Sequence, residues 1–196
     1  MPSDDFGFFE PPWAAPLNAD KLISEIPESA TIAGMFYLAV QEAARRRGTQ
    51  LTFTRDRYMQ FGFYSLREFG TVLVQAAQLF YPARPLRQGL RLLGAAGPRA
   101  FATSTLGKVT LGSSSEVDAA LGAIAKTYEI NLPGSRCRVI ESAPRRMRFS
   151  VENVYHFLDC HHVGVFEGTL QHAGVQGSVR IKSQGAHSAE LLVEWT

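Results

Sequence analysis

A chain of 196 residues, with 45% hydrophobic and 19% charged side chains, has the composition of a folded protein and enough length for one substantial core. A net charge of +2 does not point to nucleic acid, and two cysteines, Cys137 and Cys160, are too few for a disulfide framework. No apolar stretch reaches the roughly 20 residues of a membrane helix, and the start, MPSDDFGFFEPPW, is acidic and proline-broken, unlike a secretory leader. A soluble, cytoplasmic protein with reduced thiols is expected.

Residues 1–19 read as an irregular arm. Phe6, Phe8, Phe9 and Trp13 are many aromatics for a free tail, so the arm packs on its own domain or reaches a partner chain. A short helix is expected over Asp20 to Ile26, before Pro27. Thr31 then resembles an N-cap for a helix from Ile32 to Arg47, closed by Gly48. Arg45, Arg46 and Arg47 fall in its last turn, where positive charge suits the helix dipole. Residues 49–64 read as a loop or a short extended segment. Ser65 and Glu68 match a capping box, opening a helix to about Phe80 that Pro82 ends. Pro85 opens a short helix that Gly94 stops, and another follows Pro98 through Phe101 and Leu106. Ser113 and Glu116 form a second capping box, before a helix from Val117 to Tyr128.

At residue 133 the period changes from helical to alternating. RCRVIES and RRMRFSVEN read as a hairpin turned at Ala143-Pro144. A helix is expected from Val154 to Ala173, stopped by Gly174. GSVRIKS and SAELLVEWT follow as two more strands, turned at Gly185. The order strand, strand, helix, strand, strand predicts an α+β fold: a helical part over 20–132 packed on a four-stranded antiparallel sheet part over 133–196, all one domain.

The stretch VYHFLDCHHVGVFEG carries the densest set of potential ligands, His156, Asp159, Cys160, His161 and His162, with Glu167 just beyond. On a helix only residues three or four apart share a face. That spacing pairs His156 with Cys160 and Asp159 with His162, and sends His161 elsewhere. A closed zinc site wants about four ligands, and neither pair supplies them; His172 and His187 are the remaining histidines. Cys160, Gly164 and Gly168 recur at intervals of four, a stripe suited to close approach of another backbone. Glycine inside a helix otherwise costs about 1 kcal/mol. Glu167 reads as an exposed or capped carboxylate. Arg84, Arg87 and Arg91 recur at three and four and read as a basic surface stripe on one short helix. No dinucleotide, phosphate-loop or nucleophile-elbow pattern occurs.

YSLREFGTVLVQAAQLFYPARPLRQGLRLLG, FATSTLGKV, FLDCHHVGVFEGTLQHAGVQG and a terminal VEW resemble an uncharacterised family of paralogous proteins from myxobacteria, over about residues 30–195. The layout also resembles, more distantly, the heme–nitric oxide/oxygen binding (H-NOX) domains and their relatives, which include the four-vinyl-reductase domains; GVFEGTLQHAG carries the glycine and glutamate pattern of their long helix. That resemblance implies a helical part on a C-terminal sheet, with heme held by a histidine on a middle helix and a Tyr-x-Ser-x-Arg motif before the long helix. Aligned on Glu167-Gly168, the motif falls on Glu152, Val154 and His156, none of which matches. Asp118 stands near the place of the histidine.

These readings together predict a sensory or adaptor domain rather than an enzyme. It would bind a small apolar ligand or a protein partner, with no cofactor expected. The alternative is a metal- or heme-binding sensor using His156, Cys160, His161 or His162. An enzyme site assembled from Glu167, His156 and Asp159 ranks third. The aromatic arm and the sheet edges permit a homodimer.

Overall fold

The computed structural model describes residues 6–103 and 116–196. Helices dominate first: α1 (Ala19–Ser24), β1 (Thr31–Ala33), α2 (Gly34–Arg46), β2 (Phe63–Ser65), α3 (Leu66–Phe80), α4 (Leu86–Thr103) and α5 (Val117–Asn131). Then come β3 (Arg136–Ala143), β4 (Arg146–Glu152), a π-helical turn (Leu158–His162), α6 (Val163–His172), β5 (Gly177–Gly185) and β6 (Ser188–Trp195). The last four strands form one antiparallel sheet in the order β3–β4–β6–β5, so the fold is α+β, as the alternating C-terminal pattern predicts. No helix among the described residues is long and apolar enough to cross a membrane.

Alternation sorts the sheet into two faces. Met147, Phe149 and Val151 of β4 stand opposite Val193, Leu191 and Ala189 of β6, and all six are buried. Phe149 meets Phe166 of α6 with ring centroids 4.8 Å apart, so this face receives the helices. The outer face is ionic: Arg148 reaches Glu190 at 2.6 Å and Glu141 at 2.9 Å, and Arg180 reaches Glu194 at 2.8 Å. The described part of the N-terminal arm lies along this sheet. Phe9 pairs with Ile181 on the β5 edge, and the Phe8 ring lies within cation–π reach of Arg148 and Lys182. Trp13 then stacks under the Arg91 guanidinium of α4, 3.9 Å from its carbon.

Three expected helix boundaries move, each because a tertiary contact outweighs a local signal. Thr31 does not cap a helix. Residues 31–33 pair antiparallel with 63–65, and α2 begins at Gly34. Its first donors are met by the loop before β2, Gly34 N–H by the Gly62 carbonyl at 2.7 Å and Met35 N–H by the Gln60 carbonyl at 3.1 Å, which takes the place of a side-chain cap. At Ser65 the cap is present: its hydroxyl accepts from Glu68 N–H at 3.3 Å, while the Glu68 carboxylate takes the Thr54 hydroxyl. The second capping box lies partly outside the described residues, since Ser113 does; so does Leu106.

Gly94 does not end a helix, and Pro98 does not start one; α4 runs through both. The reason is the partner it packs against. A Cβ on Gly94 would stand 2.0 Å from the His161 carbonyl oxygen. One on Gly164 would stand 2.0 Å from that of Arg91, and one on Gly168 2.1 Å from that of Ala95. The two helices therefore touch backbone to backbone, and packing holds α4 together across the hydrogen bond that Pro98 cannot make.

The third change concerns the long C-terminal helix. It begins at the π-helical turn rather than at Val154. Asn153 and Phe157 have φ of 56° and 49°, in the left-handed region, so residues 154–157 are irregular. Burial of the Val154, His156 and Phe157 side chains holds them there.

Gly168→Ala is expected to cost more than about 2 kcal/mol in urea denaturation, because the helix pair must separate. Gly122→Ala on α5, where a Cβ would meet nothing within 4 Å, is expected to gain up to about 1 kcal/mol from helix propensity. Equal effects at the two positions would refute the backbone contact.

Candidate functional site

Because His156 precedes the helix, the i, i+4 rule does not govern it. His156 does not pair with Cys160, nor Asp159 with His162. Instead His156 Nε2 lies 3.2 Å from His162 Nε2, and His162 Nδ1 lies 2.8 Å from the Tyr128 hydroxyl of α5. The Nε2–Nε2 contact is a hydrogen bond only if one ring supplies the proton and the other a lone pair. The chain Tyr128–His162–His156 therefore carries its protons in one direction or the other, and it ends at His156 Nδ1, which is buried without a partner. Both imidazoles are almost wholly inaccessible.

His161 differs. Its Nδ1 lies 3.3 Å from the Leu90 carbonyl. A carbonyl only accepts, so Nδ1 carries the proton and the neutral ring keeps a lone pair on Nε2. The π-helical turn and the contact of the His161 backbone with Gly94 set where this ring stands. It borders a cavity of about 140 Å³ between α2, α3, α4, α5 and α6, open to solvent past Ala39, Ala96 and Ala100. Phe36, Leu73, Phe80, Phe101 and Ile124 supply much of its apolar wall. A wider groove of about 990 Å³ adjoins it between α2 and α4.

Burial sets the electrostatics. It drives His156 down to about 3, with the neighbouring His161 adding to the effect, and it lowers His161 to about 4. His162 is also held well below its ordinary value, first by burial and then by the two neighbouring imidazoles. Burial raises the Tyr128 hydroxyl and the Cys160 thiol, so both stay protonated. Three neutral rings thus lie side by side, with centroids 4.5 to 5.9 Å apart. They adjoin without forming a cage: among the described residues no three His, Cys, Asp or Glu side chains are placed to hold one ion.

The remaining candidates have structural partners. Arg87 and Arg91 do not belong to a solvated stripe. Arg87 is buried and pairs with Asp159 of the π-helical turn. Arg91 binds Glu167 of α6 through two bonds of 2.5 and 2.6 Å while covering Trp13. Glu167 is therefore neither exposed nor a helix cap. Both arginines project from α4 toward the helix it is pressed against, which is why helical spacing alone read them as surface. Only Arg84 of the three is exposed. Cys160 is fully buried beside the Gly164 and Gly168 contacts. Glu167, His156 and Asp159 each face a different partner. The parts that spacing missed are Tyr128 and the Leu90 carbonyl, which come from other helices; the one available signal was the place of Tyr128 on the apolar side of α5.

Raising pH from about 4 to about 6.5 should stabilise the protein, because the unfolded chain binds protons there that the folded rings refuse. Stability is complete above the unfolded value of 6.5 and falls as pH drops toward the folded values. Each imidazole that stays neutral in the fold takes up a proton on unfolding below the unfolded value, so the slopes of the rings add. Urea denaturation from pH 7 to pH 4.5 checks this; a flat profile would contradict neutral rings in the fold.

The comparisons with known proteins agree with this architecture. No curated protein matches the chain. Among solved structures, the H-NOX domain from Shewanella oneidensis in its Fe(II)CO state superposes with a TM-score of 0.65 at 11% identity, covering 84% of this chain and 99% of that one. The Fe(II) unliganded H-NOX protein from K. algicida gives 0.62 at 11% identity, covering 84% and 97%. The likeness establishes an H-NOX-like fold. A family model described as a protein of unknown function (DUF2378) matches residues 26–196, and the chain belongs to that family.

Proposed function

We propose that this is a non-enzymatic sensory or adaptor domain that holds a small apolar ligand in the cavity between its helices. The supporting observation is the cavity itself, about 140 Å³ and walled largely by apolar side chains. Dry apolar cavities of about 150 Å³ take up molecules the size of benzene. The H-NOX-like fold supports a sensory role. Glu167, His156 and Asp159, the residues most suited to an assembled catalytic site, are separated by their partners.

Heme held in the manner the H-NOX resemblance implies does not fit these residues. α5 has no histidine, Val154 is buried, and His156 Nε2 is engaged with His162. A second reading, a metal or heme sensor, draws support from His161, whose Nδ1–Leu90 bond leaves Nε2 in the state that metal-bound histidines use. An absorbance spectrum and elemental analysis of protein produced with iron and heme test that reading.

Toluene added to the protein is expected to raise Tm in a concentration-dependent way, as any ligand of the native state does. Val40→Phe, which fills the cavity from α2, is expected to weaken toluene binding by about tenfold or more while the circular dichroism spectrum is kept. Absence of binding of both toluene and phenol by ligand-observed NMR, in protein that native mass spectrometry finds free of any ligand, would remove the small-ligand reading.

A further inference from the structure

The cavity wall is apolar except at two side chains, and both offer the same chemistry. The His161 ring has its proton on Nδ1, engaged with the Leu90 carbonyl, and no hydrogen-bond partner is found for Nε2 among the described residues. Thr127 gives its hydroxyl proton to the Ile124 carbonyl at 2.6 Å, so its oxygen also presents only lone pairs. Burial keeps His161 neutral, which denies it a second proton to donate. The cavity therefore contains acceptors in an apolar setting. A ligand bearing a carbonyl, ether or carboxylate would set lone pair against lone pair. A ligand without polar atoms would cover the half-buried ring and displace water from Nε2 without replacing its hydrogen bond, which costs free energy.

We propose that the cavity selects a neutral molecule of about benzene size with one O–H or N–H donor, the class of phenols, anilines and short alcohols, and that His161 Nε2 accepts that hydrogen bond. This rests on the ligand reading above and names its chemistry. The size follows from the volume and the donor from the two acceptors. The π-helical turn gives the specificity a structural origin. It places a histidine whose backbone is fixed against Gly94 at the cavity wall, and such turns recur at functional sites.

Phenol and toluene are nearly the same size and differ in the donor, so they are the probes. Dissociation constants for both are measured by ligand-observed NMR on the wild-type protein and on His161→Phe, which keeps a ring and loses the acceptor. The phenol-to-toluene affinity ratio is expected to fall by about tenfold or more in the variant, with toluene binding retained. A ratio that does not change overturns the proposal while leaving the apolar cavity reading intact. Binding of neither probe to the wild type overturns both. The wild-type protein alone supplies a second readout, independent of how the variant folds. In the 15N spectrum of the imidazoles, phenol should shift the His161 Nε2 resonance in the direction of an accepted hydrogen bond, and toluene should not. Bound phenol with an unmoved Nε2 resonance refutes the assignment.

Discussion

The contact on which the molecule depends is a backbone seam between α4 and α6. Gly94, Gly164 and Gly168 bring carbonyl oxygens to where side chains would ordinarily stand, so the two helices approach as closely as peptide groups allow. Two ion pairs flank the seam, Arg87 with Asp159 and Arg91 with Glu167. Their strength comes from place rather than number: partial burial removes competing water, whereas exposed pairs contribute little. The seam fixes the π-helical turn against α4, the turn fixes His161, and the cavity takes its shape from that ring and from the helices above it. Trp13, lying under Arg91, ties the arm to the same place.

A second constraint is the burial of two imidazoles, His156 and His162, with a third, His161, half-buried beside them. Polar groups in a core destabilise unless they are bonded, and this core satisfies them unequally. Tyr128, His162 and His156 bond one another in series, with a single unmet nitrogen at the end. His161 instead bonds a backbone carbonyl and stands at the cavity wall, outside the series. Three adjacent histidines that look equivalent in the sequence therefore have two different roles. Two of them stabilise the junction between α5 and the start of α6, and one lines the space where a ligand would lie.

The sheet and its hairpins were legible because alternation over seven to nine residues reports directly which face is buried, and the glycine stripe was legible because glycine at spacing four has few other uses. The helix limits at Thr31, Gly94 and Val154 were not. Each was read from a local signal, a cap residue, a glycine or an apolar run; the first two were decided by partners distant in sequence, β2 and α6, and the third by the left-handed backbone at Asn153 and Phe157. The candidate site suffered most from the last of these. A helix drawn four residues too early distributes its histidines over the wrong faces, so the residues were identifiable but their pairing was not. Arg87 and Arg91 illustrate the same limit, since a cationic stripe looks alike whether it faces water or two carboxylates on another helix.

The seam also determines where the molecule can yield. Helices joined through their backbones have no side chains to rearrange, so sliding or rotation between α4 and α6 is blocked at once by hard contact. On the opposite side of the cavity α2 presents Phe36, Ala39, Val40 and Ala43, and its first turn is held by two bonds to the loop before β2. Compliance is thus concentrated on one side. A guest larger than the cavity would therefore be accommodated by displacement of α2 about its N-terminal attachment, and not by the helix pair beneath it.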